Sequence, residues 1–153
     1  MIIRKAKVEE YVQLRDIFYS SIHINAKNYY AQAELDVWAS DTFSLDAWMK
    51  RMQGIDPYLI EDEGEILGYA DLQKDGYIDH FFIKGGNARR GLGRTLLVFL
   101  LAEARRNNYT SVYAHVSLAA ESFFLANGFE VTERNIVTMG DQTLENARME
   151  FRL

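Results

Sequence analysis

The stretch 83–97, with the sequence IKGGNARRGLGRTLL, decides the fold of this chain. It joins the end of an apolar strand to a turn with two glycines, and the turn leads into a strongly amphipathic helix. A helix N-terminus offers unpaired backbone N–H groups and a partial positive charge, and glycines allow a ligand to approach that backbone closely. Three cations surround the turn, namely Arg89, Arg90 and Arg94. The stretch therefore predicts a turn that binds a diphosphate.

From the local sequence alone, three interpretations of the turn are open. The P-loop of a nucleoside triphosphatase requires Lys and then Ser or Thr after its second glycine, whereas Arg94-Thr95 follows at the wrong spacing. A dinucleotide-binding fingerprint requires a third glycine where this chain has Leu96, and it lies early in a strand–helix–strand unit. In the third interpretation the glycines only permit a tight turn, which an isolated Gly-x-Gly pattern does not exclude.

Strands and helices are predicted on both sides of the turn. Upstream, the periodicity predicts a strand over 2–6, a helix over 8–24, helices over 31–38 and from Ser44 onward, a hairpin over 58–70 and a long strand over 77–83. Downstream, it predicts a helix over 90–107, a strand over 111–115, a helix capped by Ser117, and closing strands over 129–138 and 144–151. This order predicts an α/β (α+β) fold, a mixed sheet covered by helices on both faces.

Length and composition limit the classes of function. The chain has 153 residues, of which 48% are hydrophobic, and this suits one domain over residues 1–153. A net charge of −5 argues against a broad nucleic-acid interface, and the absence of cysteine excludes disulfides and thiolate chemistry. The longest apolar run, 96–102, is too short to span a bilayer, and we expect a cytoplasmic protein without a membrane partner. No His or acidic grouping has metal-ligand spacing, so we expect no metal.

In this context the turn resembles the coenzyme A-binding motif of the GNAT acetyltransferase superfamily, with the spacing Ile-x7-Gly-x-Gly-x3-Leu over 83–97. The stretch 117–129, with Ser-x2-Ala-x2-Phe-Phe-x3-Gly-Phe, resembles the closing helix and strand of that superfamily. The stretches 77–82 and 123–129 are similar to YafP-like members. The resemblance covers nearly the whole chain and implies a GNAT-like, mostly antiparallel mixed sheet.

The resemblance also implies an activity, the transfer of an acetyl group from acetyl-CoA to a primary amine of a small molecule. Two alternatives stay open, a protein or peptide acetyltransferase and a coenzyme A-binding protein with little catalysis. Members of the superfamily are often homodimers, although no residue here requires a dimer.

The coenzyme site is inferred from the same resemblance. The diphosphate is expected on the backbone N–H groups of the turn, which comprises Arg89, Arg90, Gly91, Leu92, Gly93 and Arg94. The backbone of Phe81, Phe82 and Ile83 is expected to pair with the pantetheine arm like an added strand. The chain departs from the pattern twice: Ala88 replaces the usual Gln or Arg, and Gly85 replaces a common proline. Arg89 is then the expected source of the missing side chain.

The general acid is missing from its usual position. In many members a tyrosine before the Gly-Phe pair is the proposed acid that protonates the leaving thiolate. The matching residue here is Phe124, which has no proton to give and which we place at the coenzyme. Tyr113 is the expected substitute, together with Tyr77, and unassisted departure of the thiolate is the alternative.

The general base is expected on the long strand over 77–83. Alternation along a strand places Asp79 on one face and His80 on the other. Because related enzymes place a basic residue on the face of Asp79, we rank Asp79 first, as a base acting through water or as an anchor for a cationic amine. His80 is a second candidate that we expect to point into the opposite layer, and His115 ranks lower.

The acceptor pocket is expected in the aromatic tract that follows the first predicted helix. His23, Tyr29 and Tyr30 are the candidates for binding the acceptor. Trp38 and Trp48 are expected to pack in the core instead. Because the chain is acidic and Asp79 is expected in the site, we expect the acceptor to be a small amine.

Overall fold

The computed structural model describes residues 1–88 and 90–153. Within these ranges the chain forms eight strands and five α-helices. In chain order they are β1 (Ile2–Lys5), α1 (Tyr11–Ser20), α2 (Gln32–Trp38), α3 (Leu45–Ile55), β2 (Tyr58–Asp62), β3 (Glu65–Ala70), β4 (Tyr77–Ile78), β5 (Phe81–Ile83), α4 (Leu92–Arg106), β6 (Ser111–Ser117), α5 (Glu121–Ala126), β7 (Glu130–Met139) and β8 (Gln142–Arg152). None of the helices in the described part has the length and the apolar character needed to cross a bilayer.

The strands form two four-stranded sheets, with the orders β1-β2-β3-β5 and β4-β6-β8-β7. All pairings are antiparallel except that of β4 with β6. β4 and β5 are consecutive in the chain, so the polypeptide leaves one sheet and enters the other at Asp79 and His80. Beyond this point β5 pairs only with β3, while β6 continues to Ser117 beside β8, and a gap opens between β5 and β6.

Helices cover both faces of the sheets. α4 buries Leu96, Leu97 and Leu100 against apolar residues of both sheets, including Ile60 and Val112. On the other face, α1 and α3 pack against β2 and β3 in a second apolar cluster. The predicted fold, a mostly antiparallel mixed sheet between helical layers, is confirmed.

Several predicted boundaries were wrong. The strand predicted over 77–83 is interrupted, because the backbone N–H groups of residues 79 and 80 are bound by a side chain rather than by a strand. α4 begins at Leu92 rather than at residue 90, since Gly91 has a φ of 77° that no right-handed helix contains. Ser117 caps no helix and is the last residue of β6. The first helix ends as a π-type turn over Ser21–Asn25.

Candidate active site

One edge of β5 faces the gap between the sheets. The carbonyl of His80 accepts a hydrogen bond from Asp71 N at 3.1 Å, and Lys84 N donates to Leu67 O at 2.8 Å. Even-numbered residues therefore turn their backbone toward β3, and the backbone groups of Phe81 and Ile83 turn away from β3, where Ile83 O accepts a hydrogen bond from Asn25 Nδ2 at 3.1 Å. This is the geometry that an added strand-like ligand requires. The inclusion of the Phe82 backbone among the pairing groups was wrong, because alternation turns that backbone toward β3.

The N-terminus of α4 lies at the same end of the molecule as β5. Its first backbone hydrogen bond runs from Thr95 N to Gly91 O at 3.0 Å. Within the described part of the chain, the N–H groups of Leu92, Gly93 and Arg94 have no carbonyl partner, as is usual in the first turn of a helix. Such a turn fits an anionic diphosphate.

The two glycines of the turn have different roles. Gly91 lies in the left-handed region, and a Cβ there would meet nothing within 4 Å, so its backbone conformation is the constraint. Gly93 has a helical backbone, and a Cβ would lie 3.2 Å from two ring atoms of Phe123 in α5. Gly93 therefore lets α4 approach α5 closely.

The residues before the turn explain one departure from the family pattern. Gly85 N donates to Ser20 Oγ at 2.9 Å, a hydrogen bond that a proline could not make. Arg90 Nη1 donates to Asn87 Oδ1 at 2.6 Å and holds the loop together. Arg89, the expected substitute for the side chain absent at Ala88, lies outside the described residues.

A cavity of about 490 Å³ lies beside the gap. Its walls come from α1, α2, α3, the break between β4 and β5, the end of β6 and the β7–β8 hairpin. Its aromatic lining consists of Phe18, Tyr30, Trp38, Phe43, Trp48 and Phe82. Its charged and polar lining includes Arg15, Arg51, Asp79, His80, His115, Ser117, Glu145 and Asn146.

Asp71 forms the break that brings Asp79 and His80 to this cavity. Asp71 is fully buried, and its Oδ1 accepts the backbone N–H groups of Asp79 at 2.9 Å and His80 at 2.7 Å. Because the carboxyl group takes the place of a neighbouring strand, the alternation of side chains stops here. Both side chains line the cavity, so the expectation that they point into opposite layers was wrong. Burial raises the pKa of Asp71 to about 6.

His80 is held as a neutral ring. Only 6% of the residue is exposed, and its Nδ1 lies 2.9 Å from the hydroxyl of Tyr69. Burial lowers the pKa of His80 well below its usual range, so the ring is uncharged at neutral pH. Burial also raises the pKa of Tyr69, so that its hydroxyl stays protonated. His80 Nε2 lies 3.9 Å from Asp79 Oδ2, at the cavity.

Asp79 is an ion-paired carboxylate. Its Oδ2 accepts from Arg51 Nη2 at 2.7 Å, and its Oδ1 accepts from the hydroxyl of Tyr77 at 3.3 Å. Burial and the nearby Asp79 charge raise the pKa of Tyr77 to about 12. The sequence analysis did not identify Arg51, since nothing near it in the chain marks it as a partner of residue 79.

Tyr113, the expected acid, and Phe124, at the usual position of the acid, both lie apart from the cavity. Tyr113 stacks on Tyr77, with ring centroids 5.1 Å apart, and the guanidinium of Arg148 lies 4.6 Å from its centroid. Tyr113 is absent from the described cavity lining. Phe124 is buried in the core between Phe81 and Phe129, at centroid distances of 5.5 and 5.0 Å.

The acceptor candidates are divided by the structure. Tyr30 lines the cavity, whereas His23 and Tyr29 do not. His23 Nε2 lies 2.6 Å from Ala39 O, on the connection after α2, and Tyr29 is 52% exposed. Trp48 is buried in the apolar cluster of α1 and α3, and Trp38 packs against a further cluster, as predicted; both also line the cavity. Among the described residues, no cluster of three or more His, Asp or Glu side chains could hold a metal ion.

Comparisons with known proteins agree with this geometry. A family model described as an acetyltransferase (GNAT) domain matches residues 26–149, while no curated protein matches the chain. A GCN5-related N-acetyltransferase from Rhodopseudomonas palustris superposes with a TM-score of 0.94 at 24% identity, over 99% of this chain and 95% of the other. A PaiA N-acetyltransferase from Thermoplasma acidophilum in complex with coenzyme A has a TM-score of 0.77 at 18% identity, over 99% and 98%.

A third similar structure is yncA from Salmonella typhimurium, a putative acetyltransferase with its cofactor acetyl-CoA. It has a TM-score of 0.71 at 23% identity, over 100% of this chain and 94% of the other. These likenesses show the fold, and the family model covers most of the chain. The chain therefore belongs to the GNAT acetyltransferase family and is an acetyl-CoA-dependent acyltransferase.

Proposed function

We propose that this protein transfers the acetyl group of acetyl-CoA to a primary amine of a small molecule bound in the cavity. The carrying observation is that Asp79 and His80 meet in a walled cavity bordered by Phe82 of β5 and by His115 and Ser117 of β6. The gap between β5 and β6 is where the coenzyme arm is expected. Helices and the β7–β8 hairpin wall the cavity, which favours a small acceptor over a protein segment. The proposal treats residues 1–153 as one N-acetyltransferase domain, supported by the core that α4 shares with both sheets.

The proposed binding site for acetyl-CoA consists of backbone groups of β5 and of the first turn of α4. Acetyl-CoA supplies the activated thioester. The backbone edge of Phe81 and Ile83 would hold the pantetheine arm. The N–H groups of Leu92, Gly93 and Arg94, with the positive end of α4, would hold the diphosphate. The Phe124 ring packs against the Phe81 ring in the core, with centroids 5.5 Å apart.

His80 is the proposed proton acceptor, ahead of Asp79. A base needs a free lone pair and enough affinity for a proton. His80 is neutral, and the Asp79 charge counteracts the loss of proton affinity that burial causes, whereas Asp79 itself is engaged by Arg51. In the tautomer that donates from Nδ1 to the Tyr69 hydroxyl, the Nε2 lone pair is available to take a proton from the amine, directly or through water. Asp79, 3.9 Å away, then stabilises the imidazolium.

The thiolate is proposed to leave without an acid. Phe124 has no ionisable group, and Tyr113 lies outside the cavity lining. A thiol ionises with a pKa of about 8.5, so a thiolate is a far better leaving group than an alkoxide.

The test is a coenzyme-release assay with acetyl-CoA and matched panels of small primary amines and short peptides. Turnover of a small amine with a kcat/KM above that of every peptide is the expected result. Preference for peptides would overturn the small-molecule proposal in favour of the peptide acetyltransferase. Tight binding of acetyl-CoA without turnover of any amine would identify a coenzyme-binding protein instead.

A further inference from the structure

Arg15, on α1, is a buried cation without an acidic partner. It is 6% exposed, and its Nη2 donates to the carbonyl of Ser40 at 2.9 Å. Its guanidinium lies over the rings of Phe43 at 4.4 Å and Phe18 at 5.1 Å from the centroids. In the part of the chain that the structure describes, no carboxylate lies within ion-pair distance of it. Buried charges in proteins are normally paired, so the lack of an acid at this position calls for a ligand.

Two nitrogens of the Arg15 guanidinium have unused N–H groups. Nε and Nη1 have no hydrogen-bond acceptor among the described residues. Neither atom is fully enclosed, because Asn146 Oδ1 is the only enclosed side-chain polar atom without a partner among those residues. Arg15 also contributes to the lining of the cavity. Arg15 therefore has unused donors and lines the cavity in which an acceptor is proposed to bind.

Asn146 provides a second, independent sign of a polar ligand. Its Oδ1 is buried and unpartnered, and the residue lines the same cavity. Asn146 lies opposite Ser117 in the β6–β8 pairing, at the end of β6 that borders the gap. Asn146 Oδ1 is an acceptor without a donor at this end, and the unused donors of Arg15 suit an anion.

Arg15 and His80 line the cavity a short distance from each other. Arg15 and His80 share two aromatic neighbours, Phe18 and Trp48. The guanidinium and the imidazole thus lie one aromatic side chain apart. The other arginine of the lining, Arg51, is already paired with Asp79. Among the described residues, Arg15 forms no ion pair with Glu145, the other carboxylate of the lining.

We propose that the acceptor is an amino acid or a closely related amine that carries a carboxylate, and that Arg15 binds this carboxylate. The inference rests on the proposed function, because it places the amine at His80. A single carboxylate matches the one arginine of the lining that has no ion-pair partner among the described residues.

Pairs of substrates that differ only at the carboxyl group test this proposal. Each amino acid is compared with its carboxamide. For both compounds, KM is calculated from the concentration of the unprotonated amine. The wild-type protein should show a KM about ten- to a hundredfold lower for the acid, as one charge-assisted hydrogen-bonded contact provides. Arg15→Met should remove this preference while leaving the KM of the carboxamide and the affinity for acetyl-CoA unchanged, and Arg15→Lys should retain part of it.

A charge-matched control is Arg106→Met, which removes one positive charge from the exposed end of α4, where Arg106 is 74% exposed. This variant should keep the full preference for the acid. Equal KM values for acid and carboxamide in the wild-type protein would overturn the proposal, and so would equal losses on both substrates in Arg15→Met. The wild-type comparison decides the matter even where Arg15→Met does not fold.

A binding experiment separates this proposal from the proposed function. If no amine is acetylated, the proposed function fails, and calorimetry with the same pairs against the coenzyme A-saturated protein still tests Arg15. Binding of the acids over the carboxamides, lost in Arg15→Met, would support the carboxylate site. Absence of any such selectivity would overturn it.

Discussion

At the residue scale, three neighbouring polar side chains shape the proposed catalytic site. Asp71 binds the backbone of the strand break, and the break turns His80 toward the cavity. Tyr69 then fixes one nitrogen of the His80 ring through a hydrogen bond of 2.9 Å. Because the ring is buried, it stays neutral at a pH where an exposed histidine is partly charged.

Replacing His80 tests its role as the base. His80→Gln should lower kcat by about a hundredfold or more, the usual contribution of a positioned base, while acetyl-CoA affinity stays within twofold, roughly. Steady-state kinetics and calorimetry measure the two quantities. His115→Gln is the matched control, because His115 lines the same cavity from β6, and we expect a much smaller loss there. A parallel fall in kcat and coenzyme affinity in His80→Gln would indicate a structural role.

The pH dependence of stability follows from the same buried groups. The unfolded chain protonates histidine at a pKa of about 6.5, whereas folded His80 resists protonation, so His80 makes the free energy of unfolding fall as pH drops below that value. Asp71 acts in the opposite sense. With its folded pKa raised to about 6, it favours the folded state at low pH, and this contribution is lost as pH rises through that value.

Asp71→Asn should therefore expose the effect of His80. The amide oxygen can still accept both backbone N–H groups, but the opposing titration is gone. Thermal unfolding between about pH 4 and 6.5 should show a steeper loss of stability on acidification than in the wild-type protein. An unchanged slope would mean that the Asp71 carboxyl does not titrate in this range.

At the scale of elements, the turn before α4 and the edge of β5 are the proposed coenzyme site. Gly91→Val forces a side chain into the left-handed region at a cost of about 1–2 kcal/mol, and it places bulk where the diphosphate is expected. Gly93→Val pushes against Phe123 and would move α4 away from α5. Each variant should weaken acetyl-CoA binding by about tenfold or more in calorimetry.

Gly54→Ala in α3 is the control for these glycine variants. A Cβ at Gly54 meets nothing within 4 Å, so this change should leave coenzyme affinity as it is. Wild-type affinity in both Gly91→Val and Gly93→Val would contradict the coenzyme site at this turn.

At the scale of the whole molecule, Tyr30 joins the early helices to the closing hairpin. Its hydroxyl donates to Glu145 O at 2.7 Å and accepts from Leu118 N at 2.8 Å. Tyr30→Phe leaves both backbone groups without this partner and should lower the free energy of unfolding by about 1–3 kcal/mol. The exposed neighbour Tyr29 is the control, and Tyr29→Phe should change stability little. Chemical denaturation measures both, and equal stability of the two variants would contradict this role of Tyr30.

The sequence analysis succeeded where a feature depends on residues close together in the chain. The spacing over 83–97 and the 117–129 motif identified the family and the coenzyme, and both are confirmed. The order of elements was also largely right, since periodicity and turn residues are local signals. The catalytic assignments of Asp79, His80 and Tyr113 remain predictions.

The errors arose where distant residues meet. The alternation argument failed at His80, because Asp71 replaces a strand partner and this contact is invisible in the local pattern. Trp38 and Trp48 pack against the core as expected, but their place in the cavity lining was not predicted, because an aromatic periodicity is the same for either surrounding. His23 and Tyr29 were placed in the pocket from their position after the first helix alone.

The sequence by itself determined the family, the acetyl-CoA cosubstrate and the layered fold, because each is encoded by the spacing of neighbouring residues. Only the tertiary structure decided which residues come together at the cavity proposed for the acceptor. Arg51 lies 28 positions from Asp79 in the chain, and Tyr30 lies 115 positions from Glu145, yet each pair is in hydrogen-bond contact. A cavity exists only where separate elements pack together, so its charges and its unpartnered Arg15 could not be read from the order of residues.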